Sequence, residues 1–373
     1  MRISTSALRA LGVCTAVAMF VGCSGGGASQ SSAPGNTGLN VAQPSAHLFG
    51  QRPIPFMGMK VGVSHPDHHK SWLSPELRRG HNPVLFVSDF TAEDVYIFKM
   101  PSLTLLGTLT GFNGPQGECS DKLGHVWVTN TYSYQILEFA HDGTLVNTLT
   151  DPSGEPVSCA WDKKTGNLAV TNIFDFGSGQ PPGEILVYPG ASGTPTAYTD
   201  ADLYYYYSDG YDSHGNLFID GTGGYPNYSF VFAELPSGNS SAHTIPISGG
   251  TIYFPGGVQW FPAGNYVNVG DQDCNGNPSI PTGCVDWVSV TGSAGTMTGT
   301  THLLNPMGGP SCAVVQAVQQ GNKLFASDIV FPSVCSGTTA THSWPYTAGG
   351  NATRSSTAVE QEPDGTAISS FGE

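Results

Sequence analysis

The chain has 373 residues, 49 Gly and 27 Pro among them, and sets 13 Lys and Arg against 28 Asp and Glu for a net charge of −15. That many residues that are poor in helix interiors disfavour a helical bundle. The scarcity of basic charge excludes a surface that neutralises nucleic-acid phosphates or grips an anionic bilayer by charge.

Residues 1–23 begin with Arg2 and Arg9 and continue into an apolar run from Ala10 to Gly22. The run has the length of a signal-peptide core and is too short for a spanning helix of about 20 residues. It closes on Phe20-Val21-Gly22-Cys23, which resembles the bacterial lipobox. That resemblance implies a diacylglyceryl thioether on Cys23 and export to the cell envelope. With Ser24 in the next position it implies sorting to the outer membrane of a diderm host. Membrane contact is then through the lipid alone. Residues 24–48 are rich in Ser, Gly, Pro and Asn and read as a disordered tether, because such a composition cannot bury enough apolar surface to fold. Residues 49–83 read as an extension lying on the domain that follows, with one or two capped helical turns at Ser74-Pro75-Glu76-Leu77-Arg78. His65-Pro66-Asp67-His68-His69 in this extension lacks a fourth ligand and reads as a solvated polar stretch.

From residue 84 the chain repeats itself. Leu85–Asp89, Val126–Asn130, Leu168–Asn172, Leu217–Gly221, Tyr266–Gly270 and Leu324–Asp328 are short alternating apolar segments that end in Asp, Asn or Gly. Their first residues stand 41, 42, 49, 49 and 58 apart. Alternation with period two marks half-buried strands. Gly-Asn or Gly-His pairs precede five of them and supply the positive φ of tight hairpin turns. A Pro-led strand usually comes before each hairpin, and one or two strands follow it. Four short antiparallel strands at this period predict an all-β, six-bladed β-propeller over 84–373. The first repeat lacks its leading strand. Pro363-Asp364-Gly365-Thr366-Ala367-Ile368-Ser369 at the far end has the missing pattern, so the C-terminal strand is expected to close the ring and remove an exposed edge.

Apart from Cys14 and Cys23, six cysteines remain, an even number that suits disulfides in an exported chain and allows 15 connectivities. Cys274 and Cys284 bracket one Gly/Pro loop and are the first expected pair. Cys312–Cys335 is the second. Elimination leaves Cys119 with Cys159, against the alternative of buried free thiols.

The repeats resemble the NHL-type and gluconolactonase-type six-bladed propellers, and more closely uncharacterised exported bacterial lipoproteins whose blades read G-N-L-x-V-T-N. Such a repeat reports fold far more than function. In a propeller, Asp89, Asn130, Asn172, Asp220, Asp271 and Asp328 are expected to gather around one mouth of the central channel. There they would hold a hard cation or a polyhydroxyl ligand, unless each bonds its own backbone turn. Ser208-Asp209-Gly210-Tyr211-Asp212 is similar to the gluconolactonase segment whose first Asp holds a divalent metal, which implies that role for Asp209. The family's Asn ligand falls near Val157-Ser158, where no Asn stands, and its N-terminal Glu has no counterpart. Asp271-Gln272-Asp273-Cys274-Asn275-Gly276 matches the start of a calcium loop, with Asp271, Asp273 and Asn275 as ligands to calcium or another divalent cation. Thr282 stands where the bidentate Glu belongs, so a stapled polar hairpin is the alternative. Tyr204 to Tyr207, Tyr225, Tyr228, Trp260 and Trp287 are ring surfaces for sugars or peptides, or core. No nucleophile elbow is present, so no catalytic residue is proposed. The expectation is a tethered binding or scaffold module for a protein, peptide or carbohydrate, with a metal-dependent lactonase as the alternative.

Overall fold

The computed structural model describes residues 70–80, 82–175, 182–224, 227–277, 282–330 and 335–371. The expectations for the signal peptide, Cys23, the tether, the histidine cluster and Tyr225 lie outside the described residues.

Six antiparallel sheets form the blades of a β-propeller. Five blades follow chain order, with innermost strands Pro115–Ser120, Gly154–Trp161, Tyr205–Tyr211, Pro255–Phe261 and Ala313–Gln320. These belong to blades 2 to 6. Blade 1 takes Val84–Asp89, Asp94–Lys99 and Thr104–Thr110 from the start of the domain. Its innermost strand is Pro363–Ser369 from the end, pairing antiparallel from Val84↔Ser369 to Asp89↔Pro363. The expected closure is therefore present. Ala367 packs with Phe86, Val126 and Val128 between blades 1 and 2, whereas Ile368 packs with Leu85, Val87 and Phe325 towards blade 6. One strand thus fills two inter-blade cores, as alternation in a strand allows.

The extension departs from expectation. Trp72–Leu73 adds a fifth strand to the outer edge of blade 1, paired to Thr108 and Gly107. The segment after it makes hydrogen-bonded turns, not a helix, with Ser74 Oγ accepting from Glu76 N–H at 3.2 Å and Leu77 buried. The run is too short to offset the cost of nucleating a helix. Blade 5 is also enlarged, since Ile247–Ser248 and Gly350–Asn351 both pair in parallel with its outer strand Ala294–Leu304.

All three cysteine pairs are formed: Cys119–Cys159, Cys274–Cys284 and Cys312–Cys335. The first joins the innermost strands of blades 2 and 3, so it fastens two blades beside the channel.

Candidate functional site

A propeller presents two faces. One lies where the innermost strands begin, and the other lies at the turns that follow them. The segment-ending Asp and Asn residues occupy the first, and the structure commits all but the Asn172 side chain to backbone. Asp89 accepts from the N–H groups of Ala92, Gln361 and Glu362 at 2.7 to 3.0 Å. Asp271 accepts from Tyr253, Phe254 and Asp273 N–H. Asn130 takes Asn113 N–H, Asp328 takes Cys312 N–H, and Asp220 takes those of Ser208 and Gly256. Asn172 donates to Asp151, whose carboxylate holds Ser153 and Gly154 N–H. The partners lie mostly on the lead-in to an innermost strand. Each such contact fixes where that strand enters the channel wall.

The residue before the Asx is also explained. Ser88 donates its hydroxyl to the Gln116 carbonyl of blade 2, and Thr171 donates to the Tyr207 carbonyl of blade 4. In blades 1 and 3 the Ser/Thr thus ties one blade to the next, whereas Thr129 donates to the Gly117 carbonyl and Ser327 bonds Thr341 within their own blades. None of Asp89, Asn130, Asn172, Asp220, Asp271 or Asp328 lines the large cavity described next.

That cavity opens on the opposite, turn face and has a volume of about 670 Å³. Its wall is built from the last residues of the innermost strands, with Trp161, Tyr211 and Trp260 contributing rings and Gln259, Gln316 and Gln319 amides. Glu118 and Asp209 line it from blades 2 and 4, and Lys122, Lys163 and Lys164 stand exposed in the turns that follow the innermost strands of blades 2 and 3. Glu118 is 1% exposed and Asp209 2%. No carboxylate oxygen of either has a hydrogen-bond partner, nor has either oxygen of Asp364, which lines a smaller void deeper in the channel. Their nearest polar neighbours are the Ala367 N–H, the Ser158 hydroxyl and the Gln116 amide. These offset only part of the burial and stand outside hydrogen-bond geometry. Burial accordingly pushes the Asp209 carboxyl up to about 8 and the Glu118 carboxyl well above the usual carboxylate range.

The channel is narrow beneath the cavity because its strands approach closely. A Cβ on Gly117 would meet the Val157 carbonyl at 2.5 Å, and one on Gly210 would meet that of Val258 at 2.5 Å. Gln316 of blade 6 braces this level. Its Oε1 accepts from Glu118 N–H and Thr366 N–H, and its Nε2 donates to the Glu118 carbonyl at 2.7 Å. The Glu118 backbone is thus held while its carboxyl has no partner.

The metal expectations meet a different donor set. Asp209 has Ser158 on the neighbouring strand, and among the described residues it is in no group of three acidic, histidine or cysteine side chains close enough to share an ion. A lactonase-type metal does not fit that arrangement. In the calcium-like loop, Asp271 is occupied by three backbone N–H groups and Asn275 Oδ1 accepts from Asn277 N–H at 2.8 Å. Cys284, which lies beside Asp271 and Asp286, is closed in its disulfide. These oxygens are spent on the fold, and calcium does not fit them as arranged.

Of the rings singled out in the sequence, Tyr205, Tyr206, Tyr207 and Tyr228 belong to the core, Trp287 stacks on Tyr266, and Trp260 lines the cavity. Sequence reasoning missed Glu118, Trp161 and Tyr211. A positional signal exists for the last two, since each directly precedes the Asp that caps the following turn: Asp162 and Asp212 accept from the N–H groups of Lys164 and His214.

No protein-family model matches the chain, and no curated protein matches it. Solved structures match its fold. A chain of a nidogen/laminin complex is 11% identical, with a TM-score of 0.57 over 77% of this chain and 98% of its own. A Bacteroides caccae protein of unknown function is 12% identical with the same TM-score and coverage. At such identities the likeness is one of fold alone.

Proposed function

We propose that the chain is an exported, lipid-anchored binding protein that takes a small polar ligand in the turn-face cavity. The observation that carries this reading is the cavity itself. Its volume of about 670 Å³ falls within the range of small-molecule sites, roughly 300 to 1,000 Å³, and rings surround a few convergent polar groups as such sites require. Export is supported by the lipobox-like Cys23 and by three disulfides, which persist in oxidising compartments. Among the described residues no helix is long and apolar enough to cross a membrane. Asp209 at the cavity favours the hydrolase alternative in one respect, but it lacks the companions that would make a metal site. Binding is the better reading.

The test is native mass spectrometry of the purified full chain after exposure to the small-molecule fraction of an envelope extract. A retained adduct that disappears in the Trp161→Ala/Trp260→Ala variant is expected. No adduct, or one unaffected by the variant, would overturn the reading.

A further inference from the structure

Three features of the cavity restrict its ligand. Glu118 and Asp209 are buried carboxyls whose oxygens find no hydrogen-bond partner in the fold, so burial disfavours their charged form until a cation arrives. Three of the chain's 13 basic side chains, Lys122, Lys163 and Lys164, line the cavity of a molecule whose net charge is −15; Lys164 Nζ donates to the His214 carbonyl, and the neighbouring Asp121 and Asp212 are engaged by turn N–H groups. Between floor and rim lie Trp161, Tyr211 and Trp260, whose rings favour apolar stems and cations.

Each simpler ligand leaves one feature unused. A bare metal ion finds no three-ligand group at Asp209; the Asp121, His125 and Glu138 group lies at the turn, away from the floor, and the Asp121 carboxylate already accepts from Leu123 and His125 N–H. A neutral polyol hydrogen-bonds the carboxyls but supplies no counter-charge to either end. A plain amine satisfies the floor and is repelled at the rim, and a plain anion does the reverse. Resting on the binding reading above, we propose that the ligand is amphoteric, with an ammonium on the Glu118 and Asp209 carboxylates and an acidic group at the lysines, as in a short peptide with free termini. The spacing allows it. Glu118 lies two residues before the end of its strand and Lys122 two residues beyond it, so the two backbone positions are at most roughly 13 Å apart at a strand rise of about 3.3 Å. An extended tripeptide of roughly 10 Å fits within that span.

Three probes that share one backbone test this by calorimetry on the full chain at pH 7: trialanine, N-acetyl-trialanine and trialanine amide. Trialanine is expected to bind. Acetylation, which removes the ammonium, should weaken it about ten-fold or more, because the buried carboxylates then lose a charge-assisted partner. Amidation should weaken it about three-fold, an effect that shrinks in high salt because the rim is exposed. Glu118→Gln/Asp209→Asn should abolish the discrimination against the acetylated peptide. Should that variant fail to fold, Lys122→Ala/Lys163→Ala changes only exposed side chains and should abolish the discrimination against the amide. Equal binding of the acetylated peptide, or no binding of any probe at millimolar concentration, would overturn the amphoteric assignment. If the extract adduct survives that result, the binding reading stands and only the ligand class falls.

Discussion

Carboxylates on the two faces of the propeller are filled to different degrees, although Asp151 Oδ2 and Asn172 Oδ1 on the first face also lack a partner. Where the innermost strands begin, Asp89 and Asp271 each accept three backbone N–H groups. At the turn face, Glu118 and Asp209 are as deeply buried and accept none. A buried carboxylate with its oxygens filled is part of the scaffold, and the energy of its burial is offset locally. A buried carboxylate with its oxygens empty is a cost the fold carries for some other reason, and unsatisfied groups of this kind concentrate at functional sites.

The largest effect should come from a change that disturbs both faces together. Deleting residues 360–373 removes the Gln361 and Glu362 N–H groups held by Asp89, and with them the strand carrying Thr366 and Ala367 along the cavity wall. It also strips Ala367 and Ile368 from two inter-blade cores, a loss of several kcal/mol at about 25 cal/mol per Å² of apolar area. The truncated chain should lose its cooperative thermal transition or aggregate through the opened edge of blade 1. An unchanged melting curve would show that closure contributes little.

A smaller effect isolates the scaffold face. Asp271→Ala leaves the N–H groups of Tyr253, Phe254 and Asp273 without their acceptor, which should cost about 3 kcal/mol in urea unfolding. Asp271→Asn retains one acceptor oxygen and should cost about half as much. Equal losses for the two variants would mean that the charge, not the acceptor count, holds the lead-in.

This face was legible in the sequence because it repeats. Ser88-Asp89, Thr129-Asn130, Thr171-Asn172 and Ser327-Asp328 recur at blade spacing, so the architecture, the closure and the blade count could be read before any coordinates existed. The same repetition made the Asx residues look like a ring of ligands, whereas six blades that need the same lead-in contact account for it. The cavity repeats in place but not in residue type. Glu118 and Asp209 stand opposite Val128 and Ile219, the third residues of the strands beside them, and Trp161 and Tyr211 stand opposite the first residues Leu168 and Leu217. Only the turn Asp that follows Trp161 and Tyr211 marks a position in the sequence. The cavity residues meet only once the ring has closed.

The smallest expected effect tests whether Asp209 is unpartnered in solution. Its carboxyl titrates at about 8 in the folded chain because burial disfavours the charged form, against an ordinary value of 3.8. Between those values the folded state holds a proton that the unfolded state has released. Stability contributed by this group is therefore greatest below about pH 4 and is lost as pH rises towards 8. Asp209→Asn keeps the shape and removes the titration. The variant should thus gain on the wild type as pH rises, by at most about 1.4 kcal/mol between pH 6 and pH 7. Urea unfolding of both proteins at the two pH values measures that gap directly, and common contributions from the other carboxyls cancel in the difference. A gap that stays constant would mean that Asp209 is already paired, and the two faces would then differ in geometry but not in charge state. A gap that opens as expected, then closes when trialanine is added, would show that the ammonium supplies the missing partner.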